Sequence, residues 1–185
     1  VNFAEQKSYL RNQCRQKRRD YADTFAYTYL MDSPEFQSAR VIASYISYGD
    51  EPNTTDLNLA ILDSGKKLLL PRINSQLGEP SLDWVQWRGD SSQLVSRRKI
   101  MEPTGDVENR SDLIDVVITP ALQIDSQGFR LGQGGGYYDR ALRQVSAWKI
   151  ALIYPQEFST ELLPHEDHDV PVNAYATHEK ISRIN

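Results

Sequence analysis

Residues 41–72 read VIASYISYGDEPNTTDLNLAILDSGKKLLLPR, and their order decides the fold class. Val41 to Ser47 is a buried type of strand, and Tyr48-Gly-Asp-Glu-Pro turns the chain at its carboxyl end. Thr54 or Thr55 can cap a short helix that runs through Asp63, and Gly65 ends it. Lys67 to Arg72 supplies the next strand. Strand, helix and strand in succession mark an α/β fold built on a parallel sheet, in which ligands gather at the carboxyl ends of strands. Glu51 stands at one such end.

Toward the N-terminus, Phe3, Leu10, Cys14, Tyr21 and Phe25 repeat with helical spacing, which predicts a helix from Phe3 to about Leu30. On that helix Lys7, Arg11, Arg15 and Arg18 form a stripe whose centre lies roughly 65° from that of the apolar stripe. Cations at the edge of a packing seam can point into a groove, whereas a purely solvated charge run more often takes the far side.

Toward the C-terminus, Leu82 to Trp87 alternates like an exposed-edge strand, and Ser91 to Asn109 has no strong period. Within it, Arg97-Arg-Lys-Ile-Met-Glu-Pro reads as a mobile or ligand-covering segment. Leu113 to Thr119 is a central strand ended by Pro120. Tyr138 to Val145 reads as helix, Lys149 to Tyr154 as strand, Pro155 to Val172 as loop and Ala174 to Thr177 as a last short strand.

Between the central strand and that helix lies RLGQGGGYYDR, residues 130–140. Gly132, Gly134, Gly135 and Gly136 make poor helix or strand, so such a run implies close approach of backbone N–H groups to a partner, best a phosphate. The following helix start favours an anion. Asp139 beside phosphates is unwelcome unless a magnesium ion lies between them. A glycine-rich surface hairpin or linker is the other reading, against which the ordered flanks Arg130, Leu131, Tyr137, Tyr138 and Asp139 count.

The 185 residues suit one domain, 1–185, that needs no staple. A net charge of −4 argues against general nucleic-acid binding, while the basic knots near Lys7–Arg19 and Arg97–Lys99 suit a small polyanion. With one cysteine, Cys14, and no apolar run of signal-peptide or membrane-spanning length, a cytoplasmic protein with no membrane association is expected. A monomer is expected because no dedicated association segment is visible.

Two familiar nucleotide templates fail. A Walker loop needs Lys and then Ser or Thr after its last glycine, and a dinucleotide fingerprint from Gly132 needs glycine at 137; Tyr137 breaks both. His165-Glu-Asp-His-Asp invites a zinc reading, but ligands this local rarely close a tetrahedral site and no cysteine is near; a polar surface loop is the alternative. No nucleophile elbow is present, and phosphoryl transfer needs none.

Taken in order, an early Lys-x-x-x-Arg at Lys7 and Arg11, a strand ending near an acidic residue, a Glu-Pro pair after a basic segment, RLGQGGGYYDR and a late His-Asp resemble the 5-formyltetrahydrofolate cyclo-ligase family over nearly the whole chain. The resemblance implies a mixed, mainly parallel sheet flanked by helices, of NagB/RpiA/CoA transferase-like architecture. It also implies ATP-dependent conversion of 5-formyltetrahydrofolate, whether or not polyglutamylated, to 5,10-methenyltetrahydrofolate with release of ADP and phosphate.

Carried over by position, Lys7 and Arg11 hold ATP phosphates, and Arg130, Leu131, Gly132, Gln133, Gly134, Gly135, Gly136, Tyr137 and Tyr138 form the nucleotide loop. Gly134 to Tyr138 also face the folate, with Ile46 as an apolar contact and Glu51 on the pterin. Asp139 and Asp169 match the Mg2+ positions, and Arg130, Tyr138 and Asp139 are the catalytic candidates. Arg15 continues the Lys7 and Arg11 stripe and joins the ATP set. Gly135 stands where some relatives carry Lys, and Asn53 and Asn173 replace acidic residues common in the family. A nucleotide- or folate-binding module without activity, and a sugar-phosphate isomerase or acyl-CoA transferase, are the rival readings. Retention of Glu51, Asp139 and Asp169 argues against the first, and the second explains an anion-binding loop but not ATP and pterin residues together.

Overall fold

The computed structural model describes residues 2–74, 81–97 and 99–184. Arg98, in the basic segment, and residues 75–80, in the polar stretch before the edge strand, lie outside the described residues.

Helix α1 spans Phe3–Tyr21, and the Asn2 side chain caps it by accepting from the Ala4 N–H at 3.0 Å. It stops well short of Leu30. Asp23 Oδ1 accepts the Phe25 N–H at 3.0 Å, a local bond that competes with helix continuation. The chain then makes a 3-10 turn over Thr28–Asp32, which drops Tyr27 and Leu30 into the core. The apolar stripe packs only in part: Cys14 is buried with Leu122, Leu131 and Leu163, and Leu10 lies against that cluster, whereas Phe3 is 52% exposed. The residues that α1 buries are Lys7, Cys14 and Arg18.

Helix α2, Pro34–Ser38, leads into β1, Val41–Ala43, which is shorter than the sequence predicts. Helix α3, Thr55–Asp63, follows, then β2, Lys67–Asn74, and the antiparallel β3, Ser81–Trp87. Thr54 occupies the N-cap of α3 but turns its hydroxyl to the Tyr45 carbonyl at 2.7 Å, tying helix start to strand end.

A hairpin of β4, Leu94–Arg97, and β5, Ile100–Pro103, occupies the region predicted as a mobile or covering segment. Its turn uses Lys99 at φ 68°, a conformation that no local sequence signal announces. The chain goes on through β6, Val116–Pro120, the short β7, Gln123–Asp125, and β8, Arg130–Leu131, to α4, Tyr137–Arg143. It continues through β9, Trp148–Leu152, β10, Phe158–Ser159, β11, Ala174–Ala176, and β12, Ile181–Arg183.

The main sheet has seven strands in the order β12-β11-β9-β6-β1-β2-β3, parallel from β11 to β2 with one antiparallel strand at each margin. Alternation along the strands feeds two cores. Ile42, Leu68, Leu70, Ile118 and Ile150 pack with Leu57 and Ile61 of α3. Ala43, Leu69 and Val117 pack on the opposite face with Ala141 and Leu142 of α4. The margin strand β3 is not exposed as its sequence predicts: Trp84, Val85 and Trp87 are buried, and Tyr138 of α4 meets Trp84 edge-on at 6.5 Å.

The chain leaves β1 for β2 on one side and leaves β6 for β9 on the other. The crevice between the carboxyl ends of β1 and β6 is therefore a topological switch point, where open α/β sheets bind ligands. A second sheet, β10-β7-β8, stands beside it and carries the glycine loop on β8. The turn that makes this hairpin depends on Gly128, at φ 85°, where an added Cβ would lie 2.5 Å from the Val172 carbonyl oxygen. Gly128→Ala is expected to lower unfolding free energy by about 3 kcal/mol through strain and backbone overlap, read as a drop in urea midpoint. An unchanged midpoint would mean that the turn can open without disturbing the hairpin. Among the described residues, no helix is long and apolar enough to cross a membrane.

Candidate functional site

A cavity of about 840 Å³ opens over the switch point, and every residue carried over to ATP, folate or magnesium stands in its wall, whereas Arg97 and Lys99 of the second basic knot and His165 and Asp167 do not. Ile46 and Glu51 come from the loop after β1, and Lys7, Arg11 and Arg15 from α1. Arg130 to Asp139 come from β8, the glycine loop and α4, and Asp169 from the loop before β11.

The glycine loop is held from α1. Arg11 Nε donates to the Gly132 carbonyl at 3.0 Å, while Arg15 donates from Nη2 to the Gln133 carbonyl and from Nε to the Gln133 side chain, both at 3.0 Å. Gly134 takes φ 105° with the Arg11 guanidinium 3.2 Å from where a Cβ would stand, so a side chain there would push the cation aside. Gly136, at φ 64°, is the N-cap of α4, and Arg140 closes the turn by donating from Nη2 to the Gly135 carbonyl at 2.8 Å.

Arg130 has a side chain only 3% exposed, and its Nη1 donates to Asp139 Oδ1 at 2.8 Å. Its Nε and Nη2 are shielded from solvent and have no hydrogen-bond partner among the described residues. Burial pulls the guanidinium below its ordinary pKa, opposed by the Asp139 charge. The Asp139 Oδ1 atom also accepts the Val170 N–H at 3.3 Å, which seats the carboxylate beside the Asp169 loop.

Lys7 Nζ donates to Asp169 Oδ2 at 2.5 Å and to Glu166 Oε2 at 3.1 Å. Burial pushes the Asp169 carboxyl up, but hydrogen bonds from Lys7 and the Glu166 N–H outweigh it and hold the group below its usual range. Glu166, His168 and Asp169 bring ligand atoms within 4.8 Å of one another. The Lys7 ammonium already bonds two of the three, which weighs against zinc there as the sequence reading did.

On the opposite wall, burial raises the Glu51 carboxyl, opposed by its bond from the Tyr48 N–H at 3.0 Å and by the Arg18 charge. Gln133 joins the two sides, with Nε2 donating to Glu51 Oε1 at 3.5 Å. Tyr138 lies between them, its phenol held protonated first by burial and then by the nearby Glu51 charge.

Arg18 and Glu102 also line the cavity and were not among the sequence candidates. Arg18 is 3% exposed and sits where the cationic stripe predicts a continuation from Arg11 and Arg15. Glu102, of the Glu-Pro pair, accepts the Ile73 N–H at 3.1 Å and pins the β4–β5 hairpin beside the cavity. The hairpin signal was too weak to place it.

The sequence model of the 5-formyltetrahydrofolate cyclo-ligase family matches residues 4–178. The chain is 32% identical over 160 residues to the 5-formyltetrahydrofolate cyclo-ligase of Escherichia coli K12, spanning 84% of this chain and 87% of that one. It is 33% identical over 146 residues to the enzyme of that name from Mycolicibacterium smegmatis, spanning 76% and 74%. The NMR structure of Aquifex aeolicus 5,10-methenyltetrahydrofolate synthetase superposes with a TM-score of 0.80 at 28% identity, covering 96% of this chain and 92% of that one. This chain belongs to the 5-formyltetrahydrofolate cyclo-ligase family.

Proposed function

We propose that the protein converts 5-formyltetrahydrofolate and ATP to 5,10-methenyltetrahydrofolate, ADP and phosphate in the 840 Å³ cavity. The observation that carries this reading is the division of one cavity into two chemistries. A glycine loop braced by Arg11 and Arg15 faces one side, and the half-buried carboxylate of Glu51 faces the other, with Gln133 reaching from the first to the second.

Lys7, Arg11, Arg15 and Arg130 bind the polyphosphate, and the backbone from Leu131 to Tyr137 cradles it. Fixed cations of this kind stabilise charge that shifts during phosphoryl transfer without reorganising. Glu51 accepts paired N–H bonds from the pterin, Ile46 packs on the folate, and Tyr138 sits where the substrates meet. The formyl oxygen attacks the γ-phosphorus and ADP leaves. N10 then attacks the activated formyl carbon and loses its proton, and the original formyl oxygen departs within phosphate.

Asp139 and Asp169 fit a magnesium ion, because each has one oxygen engaged and the other without a hydrogen bond among the described residues. Two carboxylates plus phosphate oxygens are the hard donor set magnesium takes, and the ion would neutralise charge on the polyphosphate. The same reading covers residues 1–185 as one domain, acting as a monomer in a reducing cytoplasm, consistent with the single buried Cys14.

The test mixes protein, magnesium-ATP and 5-formyltetrahydrofolate and follows the absorbance of the methenyl product. Product that requires all three is expected. None above a heat-killed control, with the fold intact and the substrate verified, overturns the reading.

A further inference from the structure

Arg18 belongs to a buried network that reaches the loop carrying Glu51. Its Nε and Nη2 donate to the two oxygens of Glu157 at 2.6 and 2.7 Å, and Nη2 also donates to the Ala121 carbonyl at 2.5 Å. Glu157 further accepts from the Tyr21 hydroxyl at 3.1 Å and the Tyr154 N–H at 3.0 Å, so both of its oxygens are used. The Tyr154 ring lies against the guanidinium at 5.6 Å, and its hydroxyl reaches the Asp50 carbonyl at 3.3 Å, next to Glu51.

A fully bonded ion pair such as this accounts for the burial of two charges. It leaves one group unexplained. Nη1 of Arg18 makes no hydrogen bond among the described residues, and unlike Arg130 Nε and Nη2 it is not sealed from solvent. Arg18 is in the cavity wall, so that nitrogen offers two fixed donors to whatever fills the cavity.

The position along α1 separates its role from those of the other cations. Eleven residues from Lys7 to Arg18 correspond to about 16 Å of helix, so the two stand at opposite ends of the site. Lys7 meets Asp169, whereas Arg18 meets Ala121, just past β6, and acts on the Glu51 carboxylate. Its charge is already balanced by Glu157, which suits a neutral carbonyl acceptor better than a polyphosphate. In a pterin the 4-oxo group adjoins the N–H edge that a carboxylate accepts.

We propose that Arg18 is a folate-binding residue, donating from Nη1 to the pterin 4-oxo oxygen beside the edge held by Glu51. The inference rests on the proposed cyclo-ligase reading. Tyr21 and Tyr154 then hold the Arg18–Glu157 pair in place, and specificity for the oxo form comes from two opposite groups, one donor and one acceptor.

Removing Arg18 alone would strand Glu157, so the comparison uses Glu157→Gln, which keeps Arg18 and an acceptor for Tyr154, against the double variant Arg18→Met/Glu157→Gln. The double variant is expected to raise the KM for 5-formyltetrahydrofolate about tenfold or more above the single one, with the KM for ATP within about twofold. Titration with 5-formyltetrahydrofolate in the absence of ATP is expected to show the same loss. Equal folate constants in the two variants, or parallel loss for both substrates, would make Arg18 a structural clamp and overturn the proposal. An inactive wild-type protein that still loses folate binding in the double variant would instead indict the reaction and leave the contact standing.

Discussion

Asp139→Asn is expected to lower kcat/KM at least about a hundredfold while also reducing thermal stability, and the two losses have different causes. The stability loss arises from Arg130, whose side chain is 3% exposed and whose only ion pair among the described residues is with Asp139. Asparagine keeps a carbonyl for Nη1 or for the Val170 N–H but removes the charge that balances the guanidinium. Stripping the partner from a buried charge costs about 3 kcal/mol, or roughly 6–12 °C in Tm for a domain of this size.

A fall in activity alone would therefore not reveal the role of Asp139. The magnesium dependence does. If the carboxylate is a metal ligand, Asp139→Asn shifts the activating magnesium concentration upward and excess magnesium restores part of the rate. Arg130→Gln removes the other half of the pair, and its magnesium midpoint is expected to stay where it is in the wild type. Identical midpoints in wild type and Asp139→Asn would leave Asp139 as a partner of Arg130 and nothing more.

The parallel centre of the sheet was legible because fully buried strands leave a plain signal: Leu68 to Leu70 and Val116 to Thr119 are buried runs, with α3 between β1 and β2 and α4 between β6 and β9. The glycine loop was legible for a different reason. Gly134 and Gly136 take positive φ, and glycine is the residue that sequence shows most directly when the backbone demands it.

What the sequence hid lies in contacts between distant segments. The packed face of α1 carries Lys7 and Arg18, which hydrophobic spacing cannot find, because their burial is balanced by Asp169 and Glu157 far along the chain. The β4–β5 hairpin escaped because its turn rests on Lys99 at positive φ rather than on an Asn-Gly or Gly pair. Helix α1 was drawn too long because spacing alone continues through Phe25, whereas the Asp23 side chain turns the backbone first.

Glu51→Gln is expected to raise the folate KM roughly a hundredfold and leave the ATP KM within about twofold, because a carboxylate can accept two N–H bonds from a pterin edge and an amide only one. The effect on the fold has the opposite sign. Burial raises the Glu51 carboxyl, against the Tyr48 N–H and the Arg18 charge. A group whose folded pKa is raised favours the folded state below its unfolded pKa, and that contribution is lost as pH rises through the folded value. Above that value the wild-type protein therefore carries an ionised group that burial disfavours. Glutamine removes that penalty while its carbonyl can still accept from Tyr48. Tm at neutral pH is expected to equal or exceed that of the wild type, so lost folate binding could not be blamed on unfolding. The wild-type folate KM should also rise as pH falls through the raised Glu51 range, because the protonated carboxyl loses one acceptor, and this branch should be absent from Glu51→Gln. A Gln variant that keeps wild-type folate affinity and the same acid branch would remove Glu51 from pterin recognition, and with it the division of the cavity that separates folate from ATP.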